Sequence, residues 1–147
     1  MKNVAHRHGA LFITDENMCG FGRTGTMHTW EQEETAVPDI QVMGKGLAAG
    51  VQTLSAMLYS QRVHDGITKN GGSFRHGHTF QDHPTAAAAA HETLRIIQKF
   101  NLLENVRRQG SLLKKLLQEK VGVHANVGDV RGPALFIGVS IHFDELL

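Results

Sequence analysis

Apolar positions fall into two regimes along the chain. Up to residue 60 they come in short runs of strand length; from residue 84 to residue 120 they recur at helical spacing. Gly9–Asp15 (GALFITD) holds four apolar or β-branched residues in a row and ends on a carboxylate, the pattern of a strand covered on both faces. Ile40–Met43 is a second short run that leads into Gly44-Lys45-Gly46, and Leu54–Tyr59 is a third strand candidate. Between the first two, Glu16–Gly25 carries three glycines and an arginine and reads as a loop, and Pro38-Asp39 marks a turn. Gln61–Thr68 fits a short helix and residues 70–73 a turn.

Pro84 stands where a first helical position favours proline, and the alanines that follow continue at helical spacing through Leu94, Ile97 and Phe100. Asn101 interrupts the pattern. A second helix over 102–120 would put Leu103, Val106, Leu113, Leu116 and Leu117 on one stripe, with Arg107, Arg108, Lys114 and Lys115 outside it. Val127–Ile141 reads as a turn and an apolar strand. Strands followed by helices and a further strand predict an α/β architecture. Met1 leads almost directly into the first strand, and residues 143–147 stop just after another, so part of a larger fold is expected.

Composition narrows the class. The 147 residues are 41% hydrophobic and 20% charged, as in soluble globular proteins. A net charge of +1 supplies no basic field for nucleic acid or an anionic membrane surface. The apolar runs fall well short of the ~20 residues of a membrane span, and the N-terminus has no signal-like apolar stretch. One cysteine, Cys19, excludes an internal disulfide framework and fits a reducing compartment, so a cytoplasmic location is expected.

Two residues stand out for chemistry. Lys45 follows an apolar strand between two glycines, where backbone holds it and another group can approach closely. A partly desolvated lysine there can form an imine with an aldehyde; the same pattern also fits a solvated turn lysine. Asp15 ends a strand, a usual place for ligand chemistry in open α/β sheets, and it equally suits capping of the following loop. His6 and His8, and His76, His78 and His83, lack companion ligands at metal-binding spacing. No nucleotide-binding glycine pattern is completed around Gly20-Phe21-Gly22, and Ser55, Ser111 and Cys19 have no evident base partner.

Four segments in order and spacing resemble the class III (ω-aminotransferase) family of pyridoxal 5′-phosphate (PLP) enzymes. LFITDENMCGFGRTG is similar to the family's apolar strand, Asp-Glu-Val-Gln, and Gly-Phe-Gly-Arg-Thr-Gly loop. PDIQVMGKGLAAG is similar to its PLP-lysine segment, GHTFQDHPTAAAAA to its Thr-Tyr-x-Gly-His-Pro-x-Ala segment, and VGDVRGPALFIGVSI to its later Val-Arg-Gly-x-Gly-Leu strand. The resemblance covers nearly the whole chain. It implies a fold-type I PLP-dependent transferase. Residues 1–100 would be the later part of the PLP-binding large domain, and 101–147 the beginning of the small C-terminal domain.

The resemblance makes Lys45 the catalytic Schiff-base lysine, which then moves the proton as general base and acid. It makes Asp15 the partner of the pyridine nitrogen, and Thr79 a ligand of the cofactor phosphate, across the interface of a homodimer. Arg23 and its neighbouring glycines would shape the loop beside the site. Asn17 and Met18 occupy the positions of a ring-face valine and of a glutamine that can reach the ring hydroxyl. The implied reaction passes an amino group from an amine or amino acid donor to a 2-oxo acid acceptor. Other departures are Ala48 and Ala49 for glycines, Asp82 for a glycine, and Pro133-Ala134 for a pattern ending in glycine. The family's N-terminal half, with a phosphate loop and a ring-stacking aromatic, and a C-terminal arginine for the substrate carboxylate have no counterpart in these segments. The alternative is a non-catalytic fragment or remnant that associates with a full-length relative.

Overall fold

The computed structural model describes residues 1–33 and 35–142. The chain's last residues, 143–147, on which the reading of an abrupt stop relied, lie outside that range. The elements are α1 (Lys2–Arg7), β1 (Ile13–Asp15), β2 (Ile40–Met43), β3 (Ala56–Tyr59), α2 (Gln61–Thr68), α3 (Pro84–Lys99), α4 (Leu102–Lys120), β4 (Val127–Arg131) and β5 (Gly138–Ile141), with short 3-10 turns at Thr29–Gln32, Lys45–Ala48 and Lys69–Gly71. The α/β class expected from the pattern is what the chain forms.

The first sheet has the order β1-β2-β3. β1 and β2 run parallel, in register Ile13↔Ile40, Thr14↔Gln41 and Asp15↔Val42. Parallel neighbours cannot be joined by a tight turn, and residues 16–39 make the crossover. β3 returns antiparallel to β2, with Ile40 opposite Tyr59 and Met43 opposite Ala56. β2 is therefore central. Its alternate residues Gln41 and Met43 are buried, as a period of two requires.

β1 differs from its expectation. It is confined to Ile13–Asp15, and Ile13 is 56% exposed because β1 is an edge strand, with a neighbour on one side only among the described residues. An apolar run of this kind shows the capacity to be covered, not what covers it. The helix Lys2–Arg7 has no apolar stripe and was not legible as a helix. Val127–Ile141, which reads as a turn and an apolar strand, forms two strands: Val127–Arg131 pairs antiparallel with β5 through a register shift between Val127 and Asp129.

α3 lays its Ala86, Ala89, Ala90, Thr93, Leu94 and Ile97 face inward, and Ala86 is buried where the helix packs on the Lys45–Ala48 turn. Small residues there let helix and turn approach closely. Asn101 adopts φ 48, a left-handed conformation that asparagine tolerates, and so ends α3 and starts α4. The apolar stripe of α4 is narrower than its sequence suggests. Leu113 and Leu116 are exposed, whereas Lys114 is half-buried and donates to the Gly132 carbonyl at 3.2 Å. Gly110 is the buried point of α4, because the Ala134 backbone crosses where its side chain would stand.

Candidate active site

Asp15 and Lys45 emerge from the same end of the parallel β1–β2 pair. Asp15 is the last residue of β1, level with Val42, and Lys45 opens the short 3-10 turn that follows β2 after Gly44. The turn is rigid for identifiable reasons. Gly44 is buried, and a Cβ there would stand 2.6 Å from Asn17 Oδ1. Leu47 and Ala48, at 6% and 1% exposure, anchor the Lys45–Ala48 helix against α3. Lys45 itself has φ 43, a left-handed conformation unusual for a lysine, and its side chain is exposed. Such backbone strain persists only where surrounding packing over-determines it, and it clusters at functional sites.

Asp15 does cap the loop that follows it. Its Oδ1 accepts from the Asn17 backbone N–H at 3.0 Å and from Asn17 Nδ2 at 2.8 Å. Asn17 thus stands between the carboxylate of Asp15 and the backbone of Gly44. None of the ion pairs among the described residues engages Asp15 or Lys45.

Beneath this edge lies a polar cluster that the sequence did not disclose. Glu16 is 4% exposed, and its side chain takes three hydrogen bonds from uncharged donors: Thr29 N–H to Oε2 at 2.8 Å, Gln41 Nε2 to Oε2 at 3.1 Å, and Trp30 N–H to Oε1 at 2.9 Å. Gln41 also lies 2.9 Å from His28 Nδ1 and accepts from Trp30 Nε1 at 3.0 Å. The crossover is pinned to β2 by these bonds. A glutamate directly after a strand-ending aspartate was the available signal; its partners lie 13 to 25 positions away in sequence.

A second anchor joins α1 to β2. Asp39, buried at the start of β2, accepts from the Phe12 N–H at 2.8 Å, lies 2.7 Å from His6 Nε2, and pairs with Arg62 at 3.6 Å. The Phe12 hydrogen bond holds the Asp39 carboxyl below its ordinary pKa; burial opposes this, and His6 and Arg62 add to it. His6, read only as half of a histidine pair, is therefore part of an anchor.

The glycine-rich loop packs on α4. A Cβ on Gly25 would lie 2.7 Å from Arg107 Cγ, and Arg107 donates to the Gly25 carbonyl at 2.5 Å. Arg23 is exposed, and its carbonyl accepts from the Leu135 N–H at 3.3 Å. Thr79 lies exposed in the segment before α3, and Met18 is exposed after the Asn17 turn; neither shares a hydrogen bond with Asp15 or Asn17 among the described residues. Histidines 76, 78 and 83 are exposed, and among the described residues no group of three or more His, Cys, Asp or Glu is arranged to hold a metal. No helix among them is long and apolar enough to cross a membrane. An open depression of about 340 Å³ lined by Gln118, Gly122, Val127 and Asp129 contains none of the candidate residues.

Residues 1–145 match the family described as aminotransferase class-III. An aminotransferase of Gibberella zeae is 50% identical over 145 residues, which are 99% of this chain and 28% of that protein. An amine transaminase from an uncultivated Pseudomonas species, solved in its PLP-bound form, matches with a TM-score of 0.87 and 39% identity over 97% of this chain and 33% of the other. A taurine:2-oxoglutarate aminotransferase from Bifidobacterium kashiwanohense, solved with PLP and glutamate, matches with a TM-score of 0.87 and 30% identity over 95% of this chain and 31% of the other. The chain therefore spans about three tenths of the length of these relatives.

Proposed function

The chain belongs to the class III aminotransferase family, and from that premise we propose that it carries the lysine-bearing part of a PLP site that moves an amino group from an amine or amino acid to a 2-oxo acid. One observation carries the assignment of residues: Asp15 and Lys45, a carboxylate and a primary amine in type, lie at one end of a parallel strand pair, the first closing β1 and the second two residues past the end of β2. The donor set fits the cofactor. A primary amine suits an aldehyde, a carboxylate suits a protonated ring nitrogen, and Gly46 beside Lys45 brings no side chain of its own, an added Cβ meeting only Phe21 Cβ at 3.8 Å.

When bound, PLP supplies an aldehyde for an amine and an electron sink beside the reacting substrate carbon. Lys45 Nζ would be the group that holds the cofactor, through its aldehyde. The same amine would move the proton at the reacting substrate carbon, as general base and then acid. The strained backbone at Lys45 and the buried Leu47 and Ala48 fix where that amine can reach. Asp15 keeps the ring nitrogen protonated by offering it a negative charge. Thr79 offers its hydroxyl to the phosphate, in a homodimer from the neighbouring subunit; its exposure in a segment without side-chain cover supports this. Met18, exposed beside Asn17, is assigned to the rim of the ring site. Residues 1–100 belong to the large domain and 101–147 to the small one, with cytoplasmic residence expected of the whole protein.

Borohydride reduction of the complete, PLP-loaded protein of which these residues form part, followed by peptide mapping, tests the lysine. The phosphopyridoxyl group is expected on Lys45, and its appearance on any other lysine overturns the assignment. Asp15→Asn is expected to lower turnover severely while the label at Lys45 remains.

A further inference from the structure

We propose that Asn17 is a positioning residue of the cofactor site: its amide fixes the Asp15 carboxylate by one oxygen and leaves the other for the ring nitrogen. The inference rests on the PLP reading of Asp15 and Lys45 given above.

Asn17 makes two contacts that define one geometry. Its Nδ2 donates to Asp15 Oδ1 at 2.8 Å, and its own backbone N–H donates to the same oxygen at 3.0 Å. The other end of the amide faces Gly44: a Cβ on Gly44 would stand 2.6 Å from Asn17 Oδ1. The side chain is thus wedged between the carboxylate and the turn that presents Lys45. An exposed aspartate at a strand end would otherwise rotate freely about its χ angles. Two donors on one oxygen select a single rotamer, and the carboxylate plane is set before any ligand arrives. Oδ2 accepts no hydrogen bond among the described residues, so the acceptor capacity left over is directed by Asn17 rather than by solvent.

The residue type matters. A valine, usual here by the resemblance, fills space against a ring but cannot donate. Asparagine can do both, because its amide has a flat face and two N–H groups. A hydrogen bond to an ionised acceptor is roughly twice as strong as one between neutral groups, and a preset acceptor lowers the ordering cost of binding.

Threonine and valine differ here by a hydroxyl and scarcely in shape, so the pair separates donation from packing. PLP dissociation constants of the full chain in its PLP-binding assembly, measured by equilibrium dialysis, are compared for the parent protein, Asn17→Thr, Asn17→Val and Asp15→Asn. Asn17→Val is expected to weaken PLP binding about tenfold, the value of one charge-assisted hydrogen bond. Asn17→Thr, whose hydroxyl can still reach Asp15, is expected to recover most of that loss. Asn17→Val binding PLP as tightly as the parent, or more tightly, overturns the proposal, and so does equal weakening by valine and threonine. Asp15→Asn keeps the two readings apart. If it too binds PLP like the parent, the assignment of Asp15 has failed; if it weakens binding while Asn17→Val does not, only the role of Asn17 has.

Discussion

His6 Nε2 lies 2.7 Å from Asp39 Oδ2, so the first helix is tied to the strand that delivers Lys45. The same carboxylate oxygen takes the Phe12 N–H. The folded-state pKa of Asp39 is lowered from 3.8, chiefly by that backbone hydrogen bond. The stabilisation from this charge is therefore complete above about pH 3.8 and is lost as pH falls through the folded-state value. Asp39→Asn is expected to cost about 1–3 kcal/mol at neutral pH. Urea unfolding as a function of pH should show the gap between parent and variant closing in acid. A gap that stays constant into strong acid would mean that the charge of Asp39 does not stabilise the fold.

Glu16 should tolerate no amide. Its oxygens meet only donors, from Thr29, Trp30 and Gln41. Glu16→Gln turns one acceptor into a donor facing another donor, which leaves a buried group unpaired at about 1–3 kcal/mol. The single tryptophan, Trp30, reports on it directly, since both its backbone and its ring belong to the cluster. The emission-detected urea midpoint should fall. An unchanged midpoint would show that the network is not holding the crossover.

Ala49 adopts φ 51 where the resembling family has glycine. A left-handed conformation costs an L-residue about 1–2 kcal/mol, and glycine returns ~0.5–1 kcal/mol of that through the freedom of its unfolded chain. Ala49→Gly is therefore expected to stabilise by up to about 1 kcal/mol. Gly110→Ala should do the reverse by about 1–3 kcal/mol, because the Ala134 backbone occupies the place of the new methyl. Chemical denaturation of the two variants side by side checks both. Destabilisation by Ala49→Gly would mean that the turn gains more from a stiff unfolded chain than it loses to strain.

What the sequence made legible depends on how local its cause was. β2, α2, α3 and α4 were readable because apolar period, Pro84 and Asn101 act within a few residues of the structure they determine. Asp15 and Lys45 were singled out by strand ends and flanking glycines, features equally local. The anchor at Asp39 and the cluster around Glu16 were not, since their partners come from 13 to 33 positions away. No periodicity encodes such a pairing. Burial of β1 failed for a related reason: four apolar residues state a preference for cover, and the neighbour that would supply it on the open edge is a matter of topology. Asn17 was readable only as a missing valine, whereas its two bonds to Asp15 make it a donor.

A polypeptide of these 147 residues expressed alone is expected to self-associate and to have little transaminase activity. Among the described residues the outer edge of β1 is unpaired, and Ile13, Met57, Leu58 and Tyr59 are all exposed on β1 and β3. Unpaired edges and contiguous apolar surface invite pairing with another chain. Positioning of reactants supplies up to ~7–11 kcal/mol of a catalytic barrier, and here the backbone of Lys45 and the carboxylate of Asp15 are held while Thr79 and Met18 are exposed. Size-exclusion chromatography at increasing concentration should show the association, and Ile13→Lys, a charge on the open edge, should reduce it. Titration with PLP should give no stable yellow complex. A monomeric chain that binds PLP and turns over an amine with pyruvate or 2-oxoglutarate would show that the lysine-bearing segment is sufficient by itself.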